Sequence, residues 1–338
     1  MQGTLIYGTR DVRFEERPDP AVVNPTDAVV RTVAACVCGS DLWRYRGIQE
    51  VTSPRPIGHE YVGVVEAVGD DVSTVKPGQF VVGGFLTSDN TCPVCKAGAH
   101  ANCLNGTGYD GCQAELIRVQ NADGTLLATP EQPDDAMVPS LLALSDVMCT
   151  GWHAAVSAEV RPGGSVVVVG DGAVGLCGVL AASQLGAGRV IAMSRHADRQ
   201  ALAWEFGATD VVSERGDEGV EAVKELTGGI GADSVLECVG TDESVLQSLK
   251  SARPGGMVGW VGVPHVTDIP QEHMFWKNVG MRGGPAPARA YLPDLLTRVW
   301  EGRIDPGKVF DLTLPLSEVA EGYAAMDERR AIKSLLRP

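Results

Sequence analysis

The sequence predicts an α/β protein with two parts, a β-rich barrel-like unit and a doubly wound parallel sheet. Residues 1 to about 146 contain short β runs, such as "AVVRTVAACV" and "YVGVVEAVG", between frequent Gly and Pro residues. Such a pattern is typical of an all-β unit. From Ser165 onwards, apolar strands alternate with helices, which is the pattern of βαβ units. The length of 338 residues also suits two domains better than one.

Six strands of the parallel sheet and the helices between them can be read from the second half of the chain. The strands are "SVVVVG", "RVIAMS", "DVV", "ADSVLECVG", "GMVGWVGVP" and "VGMRGG". The helices are "AVGLCGVLAASQLGA", "ADRQALAWEFGA", "EGVEAVKELTGG" and "ESVLQSLKSA". From about Pro285 the tail carries a helix-like "LPDLLTRVWEGRI" and ends in "AIKSLLRP".

Composition and charge exclude several classes of function. A net charge of −15 would repel nucleic-acid phosphates and anionic membranes, so neither is an expected partner. The first residues show no secretory signal pattern, and no apolar run reaches the roughly 18 residues of a membrane span. Nine cysteines without dense, even spacing do not suggest a disulfide scaffold. We expect a cytoplasmic protein in which the clustered cysteines bind metal.

A glycine motif predicts a dinucleotide site. Gly170, Gly172 and Gly175, with Ala173 and Val174 before the last of them, have G-x-G-x-x-G spacing directly after the first parallel strand. A strand before this motif and a helix after it make the motif specific. The glycines allow a tight turn, backbone approach to a pyrophosphate and close packing of the helix. A strand-to-helix turn that binds nothing is the alternative.

The end of the second parallel strand indicates which dinucleotide is preferred. An NAD site carries Asp or Glu there for the ribose 2′-hydroxyl. This chain has Ser194, Arg195 and His196 instead. A hydroxyl and a guanidinium suit a 2′-phosphate, so NADP is the expected cofactor and NAD the alternative. Arg195 as an ordinary solvated arginine is the competing interpretation.

Two polar stretches stand in apolar surroundings in the first half, "CVCGSD" with Cys38 and Ser40, and "GHE" with His59 and Glu60. With the cysteine-rich loop "SDNTCPVCKAGAHANC" and the glycine motif, in this order and spacing, they resemble the zinc-dependent alcohol dehydrogenases of the medium-chain dehydrogenase/reductase superfamily. The resemblance covers essentially the whole chain. It implies a GroES-like catalytic domain, residues 1–146 and 285–338, interrupted by a Rossmann domain, residues 147–284, with the active site in the cleft between them.

The resemblance implies a catalytic zinc site. Cys38 and His59 match two of its ligands. The family's third ligand is Cys, Asp or Glu four residues before a Thr-Gly pair, which here places it at Asp146, while Cys149 lies off the spacing. Three protein ligands leave one position open, as in catalytic zinc sites. Glu60 would orient the site or transiently approach the metal.

The cysteine-rich loop is implied to hold a second, structural zinc. The family's pattern is C-x2-C-x2-C-x7-C, and this chain reads D-x2-C-x2-C-x7-C. The ligand set is Asp89, Cys92, Cys95 and Cys103. Asp is a legitimate zinc ligand and preserves the charge of a four-cysteine shell. His100 as the fourth ligand, or a loop without metal, are the alternatives.

The implied activity is reversible, NADP(H)-dependent oxidation of a small-molecule alcohol to an aldehyde or ketone, with two zinc ions per chain. Ser40 matches the family's proton-relay hydroxyl, and Lys333 matches a basic residue near the cofactor phosphates, a solvated lysine being the alternative. Trp43 stands where the family commonly has the histidine that ends the relay, so the proton needs another exit. Family members are usually dimers or tetramers. An enone or quinone reductase of the same superfamily, with or without zinc, and a non-catalytic NADP-binding protein are the alternatives.

Overall fold

The computed structural model describes residues 1–108, 110–266 and 268–338. The chain divides into two compact units. The first unit comprises Met1–Cys149 and Pro287–Pro338, and the second unit comprises Thr150–Ala286. Neither unit contains, in the described ranges, a helix long and apolar enough to cross a membrane.

The first unit is built mainly from short strands. Before the second unit begins, these are β1 (Gln2–Gly8), β2 (Asp11–Glu16), β3 (Ala28–Cys36), β4 (Arg55–Pro56), β5 (Tyr61–Val68), β6 (Phe80–Gly83), β7 (Leu116–Val119) and β8 (Leu126–Ala128). Its helices there are short, α1 (Asp41–Tyr45), α2 (Pro93–Lys96), α3 (Ala122–Thr125) and α4 (Val138–Ala143), and α5 (Val147–Ser157) leads into the second unit.

The second unit alternates strands and helices. Its strands are β9 (Ser165–Val169), β10 (Arg189–Met193), β11 (Asp210–Val212), β12 (Ala232–Glu237), β13 (Ala252–Trp260) and β14 (Gly280–Gly283). Its helices are α6 (Ala173–Gln184), α7 (Ala197–Glu205), α8 (Gly216–Leu226), α9 (Asp242–Ser251) and α10 (Gln271–Lys277). The strands form one parallel sheet of order β11-β10-β9-β12-β13-β14. The crossover between β11 and β12 makes it a doubly wound sheet, with its ligand edge at the carboxyl ends of the strands.

The chain then returns to the first unit. The returning elements are α11 (Ala288–Trp300), β15 (Leu312–Pro315), α12 (Val319–Asp327) and β16 (Ser334–Arg337). β16 pairs antiparallel with β3, and so completes a seven-stranded sheet of order β15-β16-β3-β5-β6-β8, with β7 also paired to β3. A separate three-stranded sheet in the same unit has the order β2-β1-β4. The predicted α/β class, with a β-rich unit and a parallel sheet, is confirmed.

Buried aliphatic side chains explain why the two units fold as they do. β9 buries four consecutive valines, Val166–Val169, as a central parallel strand covered on both faces should. Val167 and Val169 belong to a core with residues of β10, β12 and α9, such as Ile191, Val235 and Leu249. In the first unit, Val30, Tyr61 and Val81 from three neighbouring strands share one core cluster.

Two elements of the second unit differ from the sequence pattern. β13 begins at Ala252, four residues before the predicted "GMVGWVGVP", because Ala252 already pairs with Ala232 before a register shift. The Pro-Gly-Gly run inside this strand resembles a turn signal in the sequence, and the irregular pairing accommodates it. The second difference is α10, which lies between β13 and β14 and has no counterpart among the predicted helices.

Candidate metal centres and dinucleotide site

Strand pairing brings the first group of polar residues together. Cys38 follows β3 closely, and His59 and Glu60 directly precede β5. Because these strands are antiparallel and Ala35 pairs with Tyr61, the end of β3 and the start of β5 lie at the same edge of the sheet. This edge is where the side chains of all three residues project from loops.

Asp146 reaches the same edge through its neighbour Ser145. The Ser145 hydroxyl accepts a hydrogen bond from the Tyr61 amide at 3.2 Å and donates one to the Gly83 carbonyl at 2.6 Å. Tyr61 and Gly83 are themselves paired residues of β5 and β6. The buried Ser145 therefore fixes the segment between α4 and α5 against the two strands, and Asp146 beside it faces the loop that carries His59.

The four side chains of this group, Cys38, His59, Glu60 and Asp146, offer ligand atoms that all lie within 4.8 Å of one another. The shortest approaches are 3.4 Å from His59 Nε2 to Asp146 Oδ2 and 3.7 Å from Cys38 Sγ to the same oxygen. Sulfur, imidazole and carboxylate are the ligand types that zinc takes in proteins. The described geometry therefore gives a donor set that fits zinc.

Asp41 is a member of this centre that the sequence patterns did not single out as a site residue. Its carboxylate is 2% exposed. One oxygen accepts a hydrogen bond from the Cys38 amide at 3.1 Å, and the other lies 3.5 Å from His59 Nδ1. A carboxylate on the second ring nitrogen fixes the tautomer and orientation of a metal-binding histidine. The available signal was the quoted "CVCGSD", in which an acidic residue follows Ser40 and begins α1.

Glu60 is held by a buried ion pair with Lys333. The distance from Lys333 Nζ to Glu60 Oε1 is 2.7 Å, and the side chains are 1% and 0% exposed. Lys333 also donates to the Val37 carbonyl at 3.1 Å, whereas Glu60 Oε2 has no hydrogen-bond partner among the described residues. A role of Lys333 near cofactor phosphates stays a prediction, and the alternative of a solvated lysine is wrong, because the side chain is buried against Glu60 and Val37.

The protonation equilibria of this centre reflect crowded charges. Burial lowers the pKa of His59, but Asp41, Cys38 and Asp146 outweigh burial and hold this pKa well above its ordinary value. Burial raises the pKa of the Cys38 thiol, and Glu60 and Asp146 raise it further. The raised pKa values of His59 and Cys38 favour the protonated side chains in the absence of a cation. A metal ion would displace these protons on binding.

Gly58 shows how the backbone makes room for this centre. Its φ of +94° is in the left-handed region, and an added Cβ would collide with the buried Gln113 side chain. The Gln113 amide donates to the Cys36 carbonyl at 3.0 Å, and the Cys112 amide donates to the Gly58 carbonyl at 2.9 Å. The loop around Gln113 thus ties the segment before Cys38 to the segment before His59.

The second group of ligand-type residues lies in the cysteine-rich loop. Asp89, Cys92, Cys95 and Cys103 offer atoms within 4.8 Å of one another. The sulfurs of Cys92 and Cys103 are 3.9 Å apart, and the amide of Asp89 approaches Cys103 Sγ at 3.3 Å. The structure therefore brings together the four residues of the D-x2-C-x2-C-x7-C spacing.

The surroundings of the Asp89 carboxylate favour its ionised form. Burial alone would raise its pKa, but the amides of Cys92 and Thr91 and the side chain of Asn105 lower it below its ordinary value. Burial raises the pKa of Cys95 to about 12 in the absence of metal. A bound cation would oppose this shift, because metal binding requires the thiolate.

His100 lies apart from these four ligand-type residues. Its Nε2 is 2.8 Å from the Asn90 side-chain oxygen, and burial lowers its pKa. Its Nδ1 is buried without a hydrogen-bond partner among the described residues. Among the described residues that form the group, the fourth ligand-type side chain is Asp89 and not His100.

The glycine motif forms the turn between β9 and α6. Gly172 caps α6, and a Cβ added there would meet nothing within 4 Å, so the space over the helix N-terminus is open. At Gly175 a Cβ would collide with the Gly170 carbonyl, so helix and turn are in close contact. An open helix N-terminus with a close-packed third glycine fits the pyrophosphate of a dinucleotide.

Ser194, Arg195 and His196 follow β10 directly, at the carboxyl edge of the sheet. Arg195 is exposed and His196 is half-buried. The Ser194 hydroxyl is buried and donates to the side chain of Asp171 at 2.8 Å. The end of β10 therefore lies against the glycine turn, and one acidic side chain of that turn contacts it.

Comparison with known proteins finds matches over both units. The family model described as an alcohol dehydrogenase GroES-like domain matches residues 24–131. The family model described as a zinc-binding dehydrogenase matches residues 173–301. The first of these models thus lies within the β-rich unit, and the second covers most of the parallel-sheet unit and continues through α11.

Individual relatives match three quarters of the chain or all of it. The chain is 36% identical over 348 aligned positions to a probable zinc-binding alcohol dehydrogenase of Mycobacterium tuberculosis, covering 100% of this chain and 89% of the relative. It is 34% identical to an NADP-dependent isopropanol dehydrogenase of Clostridium beijerinckii, over 76% of this chain and 75% of the relative. Among solved structures, an alcohol dehydrogenase of Thermus sp. ATN1 superposes with a TM-score of 0.92 at 33% identity, covering 100% and 99% of the two chains.

Proposed function

The chain belongs to the zinc-dependent alcohol dehydrogenase family of the medium-chain dehydrogenase/reductase superfamily, and on this premise we propose that it interconverts an alcohol and its carbonyl product using NADP(H). The observation that carries the proposal is the convergence of Cys38, His59 and Asp146 within 4.8 Å of one another. One thiolate, one imidazole and one carboxylate neutralise Zn²⁺ and leave a position for substrate.

The residues of the first centre divide the work of binding and positioning. Cys38, His59 and Asp146 would hold a zinc ion, which supplies Lewis acidity to a substrate oxygen when bound. Asp41 orients His59 through its second nitrogen and fixes the Cys38 backbone. Lys333 holds Glu60 by one carboxylate oxygen, and the other oxygen is buried without a partner among the described residues. Ser40 would accept the substrate proton.

The second unit would bind NADP, which supplies the hydride acceptor at its nicotinamide ring. The helix N-terminus at Gly172 would bind the pyrophosphate. Arg195 is the exposed cation at the end of β10 and would bind the 2′-phosphate. The isopropanol dehydrogenase of Clostridium beijerinckii, which this chain resembles, is NADP-dependent.

A spectrophotometric screen tests the activity directly. Primary alcohols, secondary alcohols, polyols and the matching carbonyl compounds are offered with NADP(H) and NAD(H), and nicotinamide absorbance is followed. Turnover of an alcohol or carbonyl that stops on removal of zinc supports the proposal. Reduction of enones without any alcohol or carbonyl turnover would contradict it.

Cofactor preference gives a sharper prediction. The wild type should use NADP at least about tenfold better than NAD in kcat/KM, because one charge-assisted contact to the 2′-phosphate suffices for that ratio. Arg195→Ala should remove most of the preference through a higher KM for NADP. Arg189→Ala, at the opposite end of β10, is the matched control and should leave kcat/KM unchanged for both NADP and NAD. Equal use of both cofactors by the wild type would count against the NADP assignment.

We propose that the cysteine-rich loop holds a second zinc, bound by Asp89, Cys92, Cys95 and Cys103. Four protein ligands close the coordination shell, so this ion would be structural. The bounds of the two domains stay predictions, residues 1–146 and 285–338 for the GroES-like domain and residues 147–284 for the Rossmann domain. A cytoplasmic location and a homodimer or homotetramer are predictions as well.

Zinc content should report on Asp89. Elemental analysis of the wild type should find one zinc for each of the two ligand groups. Asp89→Ala should lose the zinc of the loop, retain the other, and unfold at a temperature lower by at least about 4 °C. His100→Ala should keep both ions, and Asp89→Cys should restore the second ion. Full zinc content in Asp89→Ala would disprove the Asp89 assignment.

A further inference from the structure

Asp171 lies in the glycine turn of the second unit and contacts residues at and beyond the end of β10. It lies between Gly170 and Gly172, and its carboxylate joins the glycine turn to the segment after β10 and to α7. One oxygen accepts a hydrogen bond from the Ser194 hydroxyl at 2.8 Å, and the other accepts one from Arg199 Nη1 at 3.2 Å. The same guanidinium nitrogen donates to the Asp171 carbonyl at 3.3 Å. The two charged side chains are only 15% and 14% exposed, so the contact is well defined.

The end of β10, which the Asp171 carboxylate contacts, is the position that recognises the ribose 2′ substituent in dinucleotide-binding sheets. In those sheets the reading carboxylate comes from the end of the second strand. Here Ser194 holds that sequence position, immediately after β10. The Asp171 carboxylate lies one hydrogen bond away from it, although it belongs to the glycine turn. A carboxylate is therefore present where the adenosine ribose of a dinucleotide would bind, and the glycine turn supplies it instead of the end of β10.

The charge of this carboxylate opposes a 2′-phosphate. Burial raises the pKa of Asp171, but Ser194, Arg199, Arg215 and His196 outweigh burial and lower this pKa below its ordinary value. The group is thus ionised at neutral pH. It also engages the Ser194 hydroxyl and one Arg199 nitrogen, two donors that a phosphate would otherwise use.

We propose that Asp171 is a specificity-determining residue that limits the preference for NADP over NAD, by facing the 2′-phosphate with a negative charge and by holding Ser194 and Arg199 away from it. The proposal rests on the NADP use proposed above. The exposed Arg195 attracts the phosphate, and Asp171 restrains the same interaction from the opposite loop. Arg195 and Asp171 together set the ratio of the affinities for NADP and NAD.

Binding of two adenosine fragments tests this without turnover or metal. 2′,5′-ADP and 5′-AMP differ only in the 2′-phosphate, and their Kd values are measured by calorimetric titration. Asp171→Asn keeps the shape and an acceptor for Ser194 but removes the charge. We expect the preference for 2′,5′-ADP to rise about tenfold, the scale of a single nearby charge at a protein surface. Asp171→Ala should change it in the same direction.

Two further variants fix the interpretation. Arg199→Leu leaves the Asp171 charge uncompensated and should lower the preference for 2′,5′-ADP. Asp198→Asn removes an exposed carboxylate from the start of the neighbouring helix and should change it by less than about twofold, since exposed charges are screened. An unchanged or lower preference in folded Asp171→Asn would overturn the proposal. Failure of the NADP proposal would be visible separately, as wild-type protein that binds both fragments equally.

Discussion

Asp146→Ala is expected to abolish turnover while the protein stays folded. The change removes one of three proposed ligands and one of two negative charges, so zinc should bind weakly at the first centre. Since even partners that only orient metal ligands are worth 10–100-fold, loss of a ligand should lower kcat by more than about 100-fold. The fold should survive because Asp146 Oδ2 lies near Cys38 and close to the buried carboxylate of Glu60. Relief of that like-charge crowding offsets the lost contact to His59.

The controls for this prediction come from the same segment. Asp146→Cys supplies another ligand type of the family and should keep the zinc with part of the activity. Cys149→Ala tests the neighbouring buried cysteine, whose thiol donates to the Leu144 carbonyl at 3.1 Å, and should stay close to wild type. Zinc content, turnover and thermal unfolding are measured for all three. An Asp146→Ala variant with two zinc ions and full activity would show that the third ligand lies elsewhere.

The fold could be predicted because its signals are local. Four consecutive valines before the glycine motif predict a central parallel strand, and β9 buries those same residues. The short helix α10 had no such signal. Its Phe275 and Trp276 are 72% and 81% exposed, so these two side chains form no apolar stripe that faces a core. The predicted groups around Cys38 and Asp89 converge in the structure, and their roles as zinc ligands remain proposals.

What the sequence could not predict depends on contacts between distant segments. The Glu60–Lys333 ion pair joins residues 273 positions apart, and it exists because β16 pairs with β3. The Asp171–Ser194 hydrogen bond spans 23 positions and depends on the adjacency of β9 and β10. An acidic residue inside a glycine motif has no spacing rule that assigns it a role. Side chains of this kind become interpretable only once the strand order is known.

Proton release is the step for which the sequence predicts a departure from the family pattern. Trp43 stands where the relay histidine is common, and an indole nitrogen donates but cannot accept a proton. Ser40 precedes α1 and is half-buried, and its hydroxyl makes no capping hydrogen bond to that helix. Within the described residues near Cys38, this leaves the Ser40 hydroxyl available to a substrate. Ser40 should therefore pass the proton to water or to a hydroxyl of a bound ligand.

Ser40→Ala is accordingly expected to lose about 100-fold in kcat, the lower end of the usual range for a general acid–base group. Zinc content and KM for NADP should not change, because the hydroxyl is not among the proposed ligands. Ser40→Thr keeps a hydroxyl and should recover most of the rate, whereas Trp43→Ala should alter substrate preference or stability more than the pH profile. With no imidazole ending the relay, the wild-type kcat should show no histidine-type titration between about pH 5 and 8. If Ser40→Ala retained activity within about threefold, well below the range for acid–base catalysis, the hydroxyl would only pack beside the metal centre.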